Sequence, residues 1–372
     1  MRKIFLIVSA ILIVNSLEAN EGKVCQKCHP IIYSEYYESS HRKASAENNP
    51  IHKAMWDKHP KDEKGYTCAK CHSPNDLEVL KSGKLVKNEI QTEEPISCIY
   101  CHTIKDVQEE TNTNISSNKK REFYTAEKGK HGKAKYETKK SWFGLVKEPE
   151  SSPYHKIDYS NENFYNGNIC MGCHSHVNNE HSFDISLLDA VIGKEDKNSC
   201  VTCHMPQVLG TKVTINETKT HAYHGIAGIY HKSTSMGEHI DFNLTKTNGS
   251  FSVMVTNKSN HALFGQALRQ GVLKITISRE GKNIELEPFI FERVVGKDGK
   301  VTMPWDADKS LKDTLVYAKK VVPFNYTIKK GDEVKVELGV QIISKDGANK
   351  LGLKDSKEFT KFRLLKAEKF NF

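Results

Sequence analysis

With 372 residues the chain is long for a single compact domain, and length alone suggests about two. A mean hydropathy of −0.58 with 37% hydrophobic residues is a thin supply of apolar side chains for a core of that size, and no stretch beyond the N-terminus is apolar enough to span a bilayer. The formal charge of +9 favours anionic partners on its face.

The first residues read as an export signal. Basic Arg2 and Lys3 precede an apolar run from Ile4 to Val14, and Leu17-Glu18-Ala19 ends in the small residue that a cleavage site requires. The run is roughly half of the 20 or so residues that a spanning helix needs. Residues 1–19 are therefore expected to be a signal peptide, cleaved after Ala19 to leave a periplasmic protein. An uncleaved N-terminal anchor facing the periplasm is the alternative.

The region 20–238 holds all ten cysteines, and every one falls in a C-x-x-C-H motif: Cys25-Cys28-His29, Cys68-Cys71-His72, Cys98-Cys101-His102, Cys170-Cys173-His174 and Cys200-Cys203-His204. In this motif two thiols add across the vinyl groups of a haem, and the adjacent His ligates the iron from the same side. Zinc ribbons do not require a His after every second Cys, and structural disulfides have no preference for this spacing. A thioredoxin-like C-x-x-C would need a βαβ unit, which the pattern lacks. Five covalently bound haem c groups (iron) are thus expected, with the five motif histidines as proximal ligands.

Five haems also account for the composition. Two propionates each add about ten negative charges and bring the protein near neutrality, which argues against nucleic acid as a partner. Flat apolar macrocycles would supply the core that this Lys-, Asn-, Ser- and Glu-rich region lacks. Short helices are expected at the motifs, joined by long irregular connections. One of these, the lysine-rich Lys119 to Lys140, reads as a solvated loop or a docking surface for an acidic partner. Motifs two and three are spaced like motifs four and five, with Ser97 and Ser199 at matching places, which suggests two related pairs.

Twelve of the 17 histidines remain as candidates for the other face of each iron. Here Tyr33-Ser34-Glu35-Tyr36-Tyr37-Glu38-Ser39-Ser40-His41, Ser152-Pro153-Tyr154-His155, the Cys-His-Met-Pro ending at Pro206 and Thr220-His221-Ala222-Tyr223-His224-Gly225 resemble the multihaem (pentahaem) c-type cytochromes related to the tetrahaem electron carrier of ammonia oxidisers. In that family a Ser-x-His after the first motif supplies a distal ligand. The resemblance implies distal ligands His41, His155 and His221 first, then His224 and His261. Asn260-His261-Ala262-Leu263 departs from the family's Gly-His-x-Leu-Pro-Thr-Gly, with Phe264-Gly265 in place of Pro-Thr-Gly. His52 and His59 are further candidates for a fifth iron.

From 239 to 372 the apolar period changes to two: Phe251, Val253 and Val255; Leu273, Ile275 and Ile277; Phe324, Tyr326 and Ile328; Val334, Val336, Leu338 and Val340. Asp298-Gly299 and Asp346-Gly347 read as turns. Strands with one apolar face need a second sheet to cover it, so an antiparallel β-sandwich is expected. The whole is an α+β chain, with short helices and coil around haems followed by that sandwich.

Two functions fit. The first is a periplasmic electron carrier with mostly bis-His haems, working between redox partner proteins, a membrane quinol-linked donor or a soluble cytochrome. The second is a reductase of a small nitrogen or sulfur compound at one five-coordinate haem. Pentahaem nitrite reductases carry C-x-x-C-K at the catalytic haem, whereas every copy here ends in His. The carrier is favoured, no catalytic residue is assigned, and any membrane association is expected without a transmembrane helix in the mature chain.

Overall fold

A computed structural model describes residues 21–60, 65–119, 122–136, 152–186, 199–210, 219–266 and 268–372. The expected signal peptide and both ends of the lysine-rich stretch beyond Lys119 lie outside these residues. Among the described residues no helix is long and apolar enough to cross a membrane. The chain divides into two compact units. The first combines the segment ending at Glu109, Asn114–Cys173 and the segment ending at Ile226; the second combines Glu110–Thr113, the segment starting at His174, and Ala227–Phe372.

The first unit is made of short helices and very short strands. Helices span Glu21–Gln26, Pro30–Glu38, Pro50–Lys58, Ala69–His72, Leu77–Ser82, Glu89–Glu93, Cys98–His102, Asn163–Asn166 and Cys200–His204. Their lengths follow from their caps. Pro30 sits where a missing N–H costs nothing, and Asn49, Asp76 and Asn88 each accept backbone N–H bonds at a helix start. Strands β1 (Ile104–Gln108) and β2 (Ile115–Asn118) pair antiparallel. β3 (Phe123–Tyr124) and β4 (Lys133–Ala134) flank β5 (Ile157–Asp158), and β6 (Gln207–Leu209) pairs with β7 (Thr220–Ala222). Many of the side chains buried here are polar. Asp76 accepts from Val79 N at 3.0 Å, Asn88 Nδ2 at 2.8 Å and Gln91 Nε2 at 2.9 Å, and Glu94 takes the Gly22 N–H at 2.8 Å and 2.9 Å.

The second unit is a β-structure. Strands β8 (Ile240–Lys246), β9 (Phe251–Asn257) and β16 (Lys319–Phe324) form one sheet in the order β16-β9-β8. A larger sheet runs β11 (Lys282–Glu285), β10 (Gln270–Arg279), β17 (Glu333–Gln341), β18 (Arg363–Asn371), with β12 (Phe289–Phe291) also on β10. β13 (Arg293–Lys297), β14 (Lys300–Val301) and β15 (Lys309–Asp313) make a third. Register pairs Leu273 with Leu338, Ile275 with Val336 and Ile277 with Val334, so the alternating residues of neighbouring strands lie on one face. They enter a single cluster of 21 buried residues that also takes in Phe251, Val253, Val255, Val322 and Phe324.

Sequence and structure differ at three places in this unit. Tyr326 and Ile328 lie past the end of β16 at Phe324, although Ile328 is buried. Asp298-Gly299 is a hairpin turn with both φ positive, as expected, but Asp346-Gly347 lies inside the helix Lys345–Lys350, where Ser344 Oγ caps Gly347 N at 2.9 Å. The second unit also begins before residue 239 and recruits earlier segments. Ser233 Oγ donates to Leu364 O at 3.0 Å, Asn179 Nδ2 reaches the carbonyls of Pro304 (2.9 Å) and Ala307 (2.6 Å), and His176 Nε2 meets Glu110 O at 2.8 Å.

Candidate haem-binding site

Each attachment motif is built on a tight turn. His29 N donates to Cys25 O at 2.8 Å and His72 N to Cys68 O at 2.9 Å, which places the two Cys and the His on one side of the turn. In motifs three and five the residue before the first Cys is a helix cap. Ser97 Oγ accepts from Tyr100 N at 3.1 Å and Ser199 Oγ from Thr202 N at 3.1 Å, while Thr202 Oγ1 accepts the Ser199 N–H at 2.9 Å. Motif four instead lies on the 3-10 turn Asn168–Gly172. It follows Gly167 (φ +80°), where a Cβ would stand 2.8 Å from Cys200 Cβ. The fourth and fifth motifs therefore approach closely.

Thiols of different motifs meet in three places. Cys25 with Cys98, Cys71 with Cys173, and Cys170 with Cys200 lie within hydrogen-bonding reach, and none of the ten cysteines is in a disulfide. Burial pushes the Cys101 thiol up to about 11.

The imidazoles are oriented by backbone carbonyls. His72 Nδ1 meets Ala44 O at 3.0 Å, His102 Nδ1 meets Tyr124 O at 2.7 Å and His224 Nδ1 meets Ala222 O at 2.7 Å. A carbonyl only accepts, so each Nδ1 carries the proton and each Nε2 keeps the lone pair that a metal needs. Two ring pairs have a telling separation: His29 and His155 at 6.3 Å, and His102 and His224 at 6.2 Å with planes 20° apart. Imidazoles on opposite faces of one metal, each nitrogen about 2 Å from it, set their ring centres about 6 Å apart. His155 Nδ1 is moreover buried without a hydrogen-bond partner, an atom that a further group would satisfy. Burial and then the neighbouring His102 push His224 down to about 3, which keeps it neutral and able to ligate.

The other candidates divide. His41 lies near His72, and burial followed by that neighbour lowers its pKa. His52 is only 4.1 Å from the His72 ring and commits Nδ1 to Ala44 O at 3.0 Å and Nε2 to the Tyr66 hydroxyl at 3.0 Å, so as placed it has no nitrogen for a metal. His59 stacks on Trp56 at 5.4 Å. His221 is buried with Nδ1 on Gly210 O and Nε2 on Glu35 Oε1, both at 3.1 Å, so as placed neither nitrogen is open to a metal. His261 belongs to the second unit, where its Nδ1 meets Ala262 O at 3.0 Å; Asn257 Nδ2 fixes this loop on the carbonyls of His261, Val316 and Tyr317. Tyr66, Asn257 and Glu35 were not singled out from sequence, because a lone polar residue carries no spacing signal.

Residues 24–103 match the family described as cytochrome c554 and c-prime. A penta-heme cytochrome c552 from Thermochromatium tepidum superposes with a TM-score of 0.66 at 20% identity, covering 94% of this chain and 98% of that one. Residues 24–103 thus resemble that family, and the fold is that of the penta-heme cytochrome. Motifs one to three lie within the matched residues. Superoxide reductase from Nanoarchaeum equitans aligns with 28% of this chain and 83% of its own chain at 8% identity; its TM-score of 0.18 carries no argument. No curated protein matches this chain in sequence.

Proposed function

We propose that this cytochrome binds five haem c groups, one at each C-x-x-C-H motif, and relays electrons between redox partner proteins in the periplasm. When bound, haem supplies an iron that exchanges one electron at a time. The observation that carries the reading is the facing imidazole pairs, His29 with His155 and His102 with His224. An iron held on both faces has no open position, which suits exchange of electrons and not binding of substrate. We assign His155, His41 and His224 as distal partners of His29, His72 and His102.

The thiol contacts support a continuous relay. They make motif one a neighbour of three, two of four, and four of five. Tyr100 links the remaining pair: burial first, then Cys173, Cys101 and Cys71, raise its hydroxyl pKa. The fold of the pentahaem neighbour supports the count of five. Export and cleavage after Ala19 rest on the pattern Arg2 to Ala19, and the apolar cluster shared by two sheets supports a β-sandwich in the C-terminal region.

The test is the purified mature protein. It should begin at Asn20, carry five haems by mass, and show low-spin ferric spectra that cyanide and nitrite leave unchanged. H155A and H224A should each convert one haem to high spin. A native high-spin band that shifts with nitrite would move the reading to the reductase.

A further inference from the structure

We propose that Glu35 is a positioning residue for the distal ligand His224, tying the helix behind the first motif to the ligand of the third. The inference rests on the assignment of His224 given above. Glu35 lies on the helix Pro30–Glu38, immediately after His29, and its side chain is 16% exposed. Its two oxygens are divided between two parts of one segment. Oε2 accepts the backbone N–H of His224 at 2.9 Å, and Oε1 meets His221 Nε2 at 3.1 Å.

The segment has little freedom left. β7 fixes Thr220–Ala222, Gly210 O holds His221 Nδ1 at 3.1 Å, and Ala222 O holds His224 Nδ1 at 2.7 Å. Gly210, with φ +120°, could not carry a side chain without crowding Ile31 Cδ1 at 3.2 Å and His221 Cε1 at 3.3 Å. A Cβ on Gly225 would lie 2.2 Å from the Tyr223 hydroxyl, so that ring would have to shift. Glu35 is thus the side chain that joins this rigid segment to the first attachment helix, and it places a carboxylate beside the backbone of a ligand. A nearby negative charge favours the ferric over the ferrous state of that ligand's haem.

The experiment compares wild type, H224A, E35Q and E35A holoproteins by redox titration followed in the visible spectrum and by electron paramagnetic resonance. E35Q keeps the shape and removes the charge, so one haem should move to a higher midpoint potential while all remain low-spin. E35A should in addition give a partial high-spin signal at that same haem, which added imidazole restores. A wild-type spectrum for H224A would overturn the ligand assignment and this inference with it. A changed H224A beside Glu35 variants whose potentials and spin states match wild type would overturn the inference alone.

Discussion

The two units bury different mixes of side chain. In the second, 21 buried residues form one apolar cluster fed by strands of both main sheets. In the first, the protein's own cluster contains four, Ala46, Tyr66, Ala69 and Val79, while Ser39, Ser45, Ser73, Asp76, Gln91 and Glu94 are all buried and polar. All but Ser73, whose Oγ has no partner among the described residues, make side-chain hydrogen bonds, which fix geometry but contribute only about 1 kcal/mol each net. Apolar burial is the larger driving force in folding, so on the proposed function the first unit would gain its missing interior from haems attached at its cysteines.

Withholding haem is the strongest way to break this contrast. Chain made without haem attachment should lose the first unit to limited proteolysis, with cleavage within 65–109 and 122–136, while a fragment containing Ala227–Phe372 persists. Equal protection of the two units would refute the contrast. Next in size is Leu338→Ala, at a fully buried position opposite Leu273. It should cost about 3–5 kcal/mol in urea unfolding followed by β-sheet circular dichroism, and leave the haem spectrum unchanged. Asp76→Ala acts on the other side of the comparison. It removes three hydrogen bonds and leaves the Asn88 and Gln91 amides unpartnered, for about 2–4 kcal/mol read through haem absorbance.

The same contrast explains what could be read from the sequence. The second unit was legible because burial follows the two-residue alternation: Val253, Val255, Ile275, Ile277, Val334 and Val336 are each 1% exposed or less. It became illegible where a local cap outweighed turn chemistry, as Ser344 did at Asp346-Gly347. The five motifs of the first unit stand out in the sequence because thioether chemistry would impose a fixed spacing. The rings that approach two of the motif histidines leave no such mark: His155 and His224 lie 126 and 122 residues along the chain from His29 and His102. Contacts of that range leave no local periodicity. His221 shows the limit, since its motif resembles a ligand's while Glu35 and Gly210 take both of its nitrogens.

Acid separates the units further. Asp332 is held by Arg279 Nε at 2.8 Å and Nη2 at 2.7 Å and by Lys329 N at 2.8 Å, and the Arg279 hydrogen bonds above all bring its carboxyl down to about 2. A carboxyl depressed in the folded state contributes stability above its unfolded pKa of about 3.9 and loses it as pH falls through about 2. The second unit should therefore weaken between roughly pH 4 and pH 2, and Asp332→Asn should flatten that slope in urea titrations at pH 5 and pH 2.5. An unchanged slope would show that the pair does not act on folding.

The smallest effect sharpens the comparison inside the first unit. Ser97 and Ser199 cap the third and fifth motif helices with the same bond, but only Ser199 receives the reciprocal hydrogen bond, its N–H donating to Thr202 Oγ1. Each Ser→Ala change should cost about 1 kcal/mol, and Ser199→Ala slightly more than Ser97→Ala because the box loses its geometry with the cap. The helices are five residues long and each carries two attachment thiols, so the loss should fall on holding the motif open before the thioethers form. Lower occupancy at the affected motif, counted by haem-peptide mass after digestion, with unchanged spectra for the haems that do attach, is the expected result. Full occupancy in both variants would mean that the turns are held by their Cys and His alone.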